Sequence, residues 1–158
     1  PDDVQRFAEL GIHASMQGVH ATSDAPWIPA RLGDYRAEKR TYLWRSFMEA
    51  GVLINNGTDV PVEDIDPLAS FHSSVTRLTV DGSIFYPEQN MTRAEALRSY
   101  TINNAIAAFE EEYKGSLEVG KLGDVVVIDR DILTVPDAEL ADARVELTIV
   151  GGMVRYAR

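Results

Sequence analysis

The sequence predicts an α/β fold, and three observations carry that expectation. Through the first half, apolar β-type runs alternate with amphipathic helical stretches in the order strand, helix, strand, helix, the repeat of a parallel α/β architecture. The stretch Leu53-Ile54-Asn55-Asn56-Gly57-Thr58-Asp59-Val60-Pro61-Val62-Glu63 ends an apolar run at a glycine and places an aspartate where the strand stops. At 158 residues the chain suits one ordinary domain. It is too short for a closed (β/α)8 barrel, which takes about 250 residues.

Taken in order, Asp2 or Asp3 can cap a short helix through Leu10, with Val4, Phe7, Ala8 and Leu10 on its apolar face and Gly11 as its stop. Ile12 to Gln17 reads as a short strand, with His13 packed inside it. Gly18 to Pro29 reads as a polar loop holding His20, Thr22, Ser23, Asp24 and Trp27. From Tyr35 to Ala50 the pattern is helical, with Leu43, Trp44, Phe47, Met48 and Ala50 on one broad face. Val52 to Asn56 forms the next strand. Asp64 to Arg77 is helical again, Pro67 being tolerated in the first turn.

After a loop at Asp81 to Asn90 the texture changes. Thr92 and Glu95 have capping-box spacing ahead of an alanine-rich helix, which is expected to run to Gly115 with a break near Thr101 to Asn104. Leu122 to Asp129 and Val145 to Val150 are β runs. Gly151-Gly152 joins the second to Met153–Tyr156 as a hairpin. These late strands belong to a small sheet beside the α/β part.

Composition narrows the function classes. There are 15 Lys and Arg against 25 Asp and Glu, a formal charge of −10. Such a surface disfavours nucleic-acid phosphates and anionic lipid. The basic residues Arg36, Lys39, Arg40 and Arg45 are interleaved with Glu38 and Glu49 as a solvated helix face, so no nucleic-acid partner is expected. There is no cysteine, which rules out disulfides and thiolate metal sites within the chain and fits a reducing, cytoplasmic compartment. No apolar run approaches the roughly 20 residues of a membrane span, so no membrane partner is expected. The chain begins with Pro1, inside a helix start, which suggests a fragment or processed piece.

Asp59 is the first candidate for chemistry. Strand-end residues carry catalysis in α/β barrels because the loops there converge on one mouth. A carboxylate in that place can ligate a divalent metal and take a proton from water whose pKa the metal lowers toward about 7. Its bland alternative is a loop cap accepting backbone N–H groups. His20 follows the first strand and faces the same mouth, either as an acid–base group or as a surface residue. His72 reads as structural. Glu63, Asp64 and Asp66 read as the acidic start of a helix, and Glu110 to Glu112 as a solvent-facing run. Trp44 fits the core stripe, whereas Trp27, in the long loop, is the lid candidate. There is no HxH, no HExxH and no Cys/His cluster, so the chain does not by itself assemble the three or four ligands of a zinc site.

The segments Ala14–His20, Arg31-Leu32-Gly33, Arg45–Gly51, Gly57–Glu63, Met91–Leu97, Lys114–Asp124 and Leu147–Gly152 occur together and in order over nearly the whole chain. In this they resemble the C-terminal portion of amidohydrolase family 3, the YtcJ-like metal-dependent hydrolases. The resemblance implies the last two β/α units of a (β/α)8 TIM barrel, with Ile12–Gln17 and Val52–Asn56 as the seventh and eighth strands, plus strands of a small accessory β-sandwich. It divides the chain into barrel units at 1–80, a connecting helical segment at 81–115 and sandwich at 116–158.

By the same resemblance Asp59 is a metal-site residue and proton shuttle, and His20, Trp27 and Arg31 line the substrate mouth. The cofactor is a divalent metal, zinc, with most of its ligands outside this chain. The reaction is hydrolysis of an amide-like C–N bond in a small molecule. Gly18 stands where the family usually has proline, Asn55-Asn56 where it has small or apolar residues, and Thr58 where it has serine. A different expectation comes from the unpaired edges of an incomplete barrel, which favour association with the remainder of the barrel, a companion chain or a second copy.

Overall fold

The computed structural model describes residues 3–158. Helix α1 (Asp3–Glu9) opens it, and the alternative cap at Asp2 lies outside the described residues. Strand β1 (Ala14–Gln17) starts later than its apolar run suggested. The Ile12 N–H is still held by the Phe7 carbonyl of α1, and the first ladder bond runs from Ala14 N–H to Leu53. His13 is therefore outside the strand and exposed, not packed.

The segment expected to be a polar loop is largely helical: α2 (His20–Ser23) and α3 (Ile28–Leu32) both fall on it or begin in it. Two of its polar residues, Thr22 and Asp24, turn to hydroxyls of other segments, Ser73 and Tyr42. Thr22 is buried, with Oγ1 donating to the Val19 carbonyl at 3.0 Å and lying 3.0 Å from Ser73 Oγ. The single helix expected over Tyr35–Ala50 is two, α4 (Asp34–Arg40) and α5 (Trp44–Glu49). Between them Tyr42 takes φ 50°, which ends a helix, and this redirection brings Trp44 into full burial.

Strand β2 (Ile54–Gly57) pairs in parallel with β1, Ala14 opposite Ile54 and Gln17 opposite Gly57, so both strands finish level. Helix α6 (Pro67–Thr76) starts where Asp66 accepts the Leu68 N–H at 2.9 Å and proline fills the first position. A short 3-10 turn at Pro87–Gln89 leads to α7 (Arg93–Tyr100), which opens with the reciprocal Thr92–Glu95 capping box. Arg45 of α5 grips the same Glu95 with two N–H groups at 2.8 and 2.7 Å.

The expected break falls at Thr101, and α8 (Ile102–Ala107) follows. There the Asn103 and Asn104 side-chain amides donate to the Ile54 and Asn56 carbonyls at 2.8 and 3.0 Å, satisfying the edge of β2 that β1 does not pair. The helix does not reach Gly115: Phe109 at φ 60° stops it, and Glu110 and Glu111 are half-buried rather than freely solvated.

The last third holds β3 (Val125–Ile128), α9 (Asp137–Leu140), β4 (Val145–Val150) and β5 (Met153–Ala157). The three strands form one antiparallel sheet in the order β3-β4-β5, closed at one end by the Gly151-Gly152 hairpin. Ala14, Trp44, Val52, Ile54, Phe71, Val75, Met91 and Ala96 form the main core, which Ile132, Leu140 and Ala143 of the last third join. A smaller cluster of Ala25, Ile28, Ala37 and Phe85 lies under the α2–α4 excursion. Among the described residues no helix is long and apolar enough to cross a membrane.

Candidate active site

Because β1 and β2 are parallel and end level, the residues just after them share one rim. Asp59 lies two positions beyond the end of β2, and His20 opens α2 just beyond the end of β1. Their side chains approach to 3.9 Å, Nε2 to Oδ2. Asp59 takes φ 59°, a left-handed conformation that aspartate tolerates better than most residues, and its carbonyl accepts the Val62 N–H at 2.8 Å. The local turn thus lifts the carboxylate off the strand and leaves it half exposed, whereas the His20 side chain is 19% exposed.

His20 Nε2 is buried and has no hydrogen-bond partner. An orphaned imidazole nitrogen beside a carboxylate suits a proton-handling or ligand-binding site better than a purely structural one.

Trp27 and Arg31 form a second pair on the excursion between β1 and α4. The Arg31 guanidinium carbon lies 4.8 Å from the Trp27 ring centroid, and Trp27 is 44% exposed. The structure therefore pairs His20 with Asp59, and Trp27 with Arg31. Trp44 is in the core, as expected.

The base of that excursion is fixed by a buried arginine. Arg77 is fully buried, lies 4.6 Å from the Trp44 ring centroid, and donates to the Phe85 and Tyr42 carbonyls at 2.5 and 3.2 Å. Desolvation lowers its pKa to about 10, against the opposing pull of Glu88. The Tyr42 hydroxyl in turn donates to Asp24, and burial together with that bond raises its pKa above the usual phenol range.

Glu63 departs from the helix-start reading. It accepts the Ser23 hydroxyl at 2.6 Å and so ties α2 to the loop that carries Asp59. Asp66 caps α6, which begins at Pro67 rather than, as expected, at Asp64, and Asp64 accepts the Asp66 N–H at 3.1 Å. His72 is half-buried, and that burial lowers its pKa. The residues that sequence reasoning passed over are Ser70, Ser73 and Ser74. Their spacing on α6 puts hydroxyls on one buried face, a pattern that asks for polar partners opposite.

Asp59 and the unpartnered His20 Nε2 are of the donor types that can ligate a metal. Among the described residues no group of three or more His, Cys, Asp or Glu side chains converges to hold an ion. The described residues therefore do not by themselves furnish the three or four ligands of a zinc site.

A parallel strand pair covered by helices, joined to a small antiparallel sheet, defines an α/β architecture. The chain belongs to the amidohydrolase family, whose model matches residues 1–156. It is 35% identical over 157 residues to the protein LONG AFTER FAR-RED 3 of Arabidopsis thaliana, covering 99% of this chain and 27% of that protein. It is 32% identical over 154 residues to the N-substituted formamide deformylase of Arthrobacter pascens, covering 98% and 28%. The fold superimposes on a metal-dependent hydrolase from Pyrococcus furiosus with a TM-score of 0.71 and 30% identity, over 84% of this chain and 26% of that one. The chain thus spans roughly a quarter of the length of these relatives.

Proposed function

We propose that this chain is the C-terminal portion of a metal-dependent amidohydrolase that hydrolyses an amide-like C–N bond in a small molecule. The observation that carries the reading is the 3.9 Å approach of Asp59 to the unpartnered His20 Nε2 at the level carboxyl ends of two parallel strands. In this reading β1 and β2 are the last two strands of a (β/α)8 barrel. Residues 1–80 are barrel units, 81–115 a connecting segment, and 116–158 part of the accessory β-sandwich.

A divalent metal, zinc by the family's chemistry, supplies Lewis acidity and an activated water when its remaining ligands complete the site. Asp59 accepts a proton from the attacking water and delivers it to the leaving nitrogen as the C–N bond breaks and the acyl carbon gains oxygen. Its half-exposed carboxylate and lifted turn suit a group that shuttles a proton in both directions. His20 faces the reacting end of the substrate, and the Trp27–Arg31 pair offers an apolar face and a cation at the mouth.

The test is turnover of a panel of amides that includes N-substituted formamides, with the polypeptide that completes the metal site. Asp59→Asn is expected to nearly abolish turnover while the circular dichroism spectrum stays unchanged. Retained activity removes Asp59 from the chemistry.

A second reading, a module that associates with the rest of the barrel, a companion chain or another copy, is favoured by one observation. The β3–β5 sheet carries exposed Val126, Val127, Val150, Met153, Val154 and Tyr156. Exposed apolar sheet of this kind favours association. A monodisperse 17.5 kDa species at high concentration by light scattering removes it.

A further inference from the structure

We propose that Ser70 is a positioning residue that holds the His20 and Asp59 loops in mutual register. The inference rests on the reading of those two residues as the reacting pair. Ser70 lies on α6, is 1% exposed, and touches both loops with one oxygen. Its Oγ accepts the Val19 N–H at 3.1 Å, next in sequence to His20. The same hydroxyl donates to the Gly57 carbonyl at 3.4 Å, two residues before Asp59. From the far side the Tyr100 hydroxyl of α7 donates to it at 2.6 Å. Two accepted bonds and one donated bond use the full capacity of a serine hydroxyl.

The packing around it points the same way. A Cβ at Gly18 would collide with Ser74 Oγ and the Ser70 carbonyl oxygen, and would lie 2.9 Å from the Tyr100 hydroxyl. The chain leaving β1 therefore lies flush against α6 just before Val19. Only glycine permits that approach. Thr22 and Ser73 fasten the other end of α2 to the same helix, at 3.0 Å. Between these two points the backbone of His20 has little freedom to drift.

On the Asp59 side, Gly57 is the last residue of β2, so a bond to its carbonyl fixes where the strand ends and the φ 59° turn begins. A single buried oxygen thus references both loops to α6. Sub-ångström placement of reacting groups is what such supporting contacts secure.

The test combines Ser70→Ala with Ser74→Ala. Ser74 is equally buried on the same helix, but its hydroxyl donates back to the Ser70 carbonyl and to neither loop. In this chain, backbone amide exchange by NMR is expected to find Val19 protected like the β1 ladder amides. Ser70→Ala should speed Val19 exchange at least about tenfold and shift the Gly57–Asp59 amide resonances, whereas Ser74→Ala leaves them in place.

In the catalytically complete polypeptide, Ser70→Ala should lower kcat about 10- to 100-fold with KM within about twofold, a split that mere loss of stability does not produce. A Val19 amide that exchanges freely in the unmodified chain overturns the proposal, and that measurement needs no variant to fold. So does an equal effect of the two serine substitutions. If no hydrolysis is found with any substrate, the exchange data still decide the positioning role, so its failure is separable from failure of the catalytic reading.

Discussion

Gly18→Ala measures how tightly the exit of β1 is held against α6. The added methyl meets three obstacles: the Ser74 hydroxyl, which can rotate, the Tyr100 hydroxyl, and the Ser70 carbonyl oxygen, which belongs to the helix backbone and cannot move aside. Forcing an extra methyl into a packed site costs about 1–3 kcal/mol. Loss of glycine's unfolded-state freedom returns about 0.4–1 kcal/mol. Since one obstacle is backbone, the upper part of the range applies, and the net expectation is a loss of about 2 kcal/mol. For a chain of this size that lowers Tm by about 4–8 °C.

Urea unfolding followed by far-ultraviolet circular dichroism should show the midpoint falling with an unchanged slope. The double substitution Gly18→Ala/Ser74→Ala should recover less than half of the loss, because the Ser70 carbonyl remains. A single variant within about 0.5 kcal/mol of the parent would refute the close approach itself.

Glu95 is held at a pKa of about 2, below its ordinary 4.5, first by the Arg45 hydrogen bonds and also by the Thr92 backbone and hydroxyl. A depressed folded-state value means the pair stabilises fully above pH 4.5 and loses that contribution as pH falls toward 2. Because Glu95 is a third exposed, the contribution is discounted to about 1–2 kcal/mol. Glu95→Gln should remove it at pH 7 and flatten the acid limb of a stability–pH profile. Arg77→Met leaves the Phe85 and Tyr42 carbonyls without their donor and should cost about 2–4 kcal/mol, read by urea unfolding; a change below about 1 kcal/mol would show the buried guanidinium to be dispensable. Trp27→Ala should cost no more than about 1 kcal/mol of stability, since the residue is 44% exposed, but raise KM in the complete enzyme; an unchanged KM removes Trp27 from the mouth.

Features whose causes are local were legible in the sequence. The Thr92–Glu95 capping box and the Gly151-Gly152 hairpin each depend on residues within a few positions, and each formed where expected, while the helix expected from Asp64 starts at Pro67. Asp59 was legible as a strand-end carboxylate because an apolar run followed by glycine marks the end of a strand. What periodicity could not reveal were the breaks. Tyr42 interrupts an otherwise helical pattern because its hydroxyl and carbonyl answer to Asp24 and Arg77, distant in sequence. The polar letters after Gly18 looked like loop because groups that would suit water instead meet α6, the Val19 N–H at Ser70 and the Thr22 hydroxyl at Ser73.

The sequence by itself determined the alternation of strands and helices, the late hairpin and the identity of the two rim residues. Only the tertiary structure decided that β1 and β2 end level, that Asp59 stands 3.9 Å from His20, and that one serine on a third element touches both loops. The reason is physical. Caps, turns and periodicity are short-range interactions written into neighbouring residues. Register between strands, and the burial of a hydroxyl against another element's backbone, are fixed by side chains meeting across the fold, which no window of sequence contains.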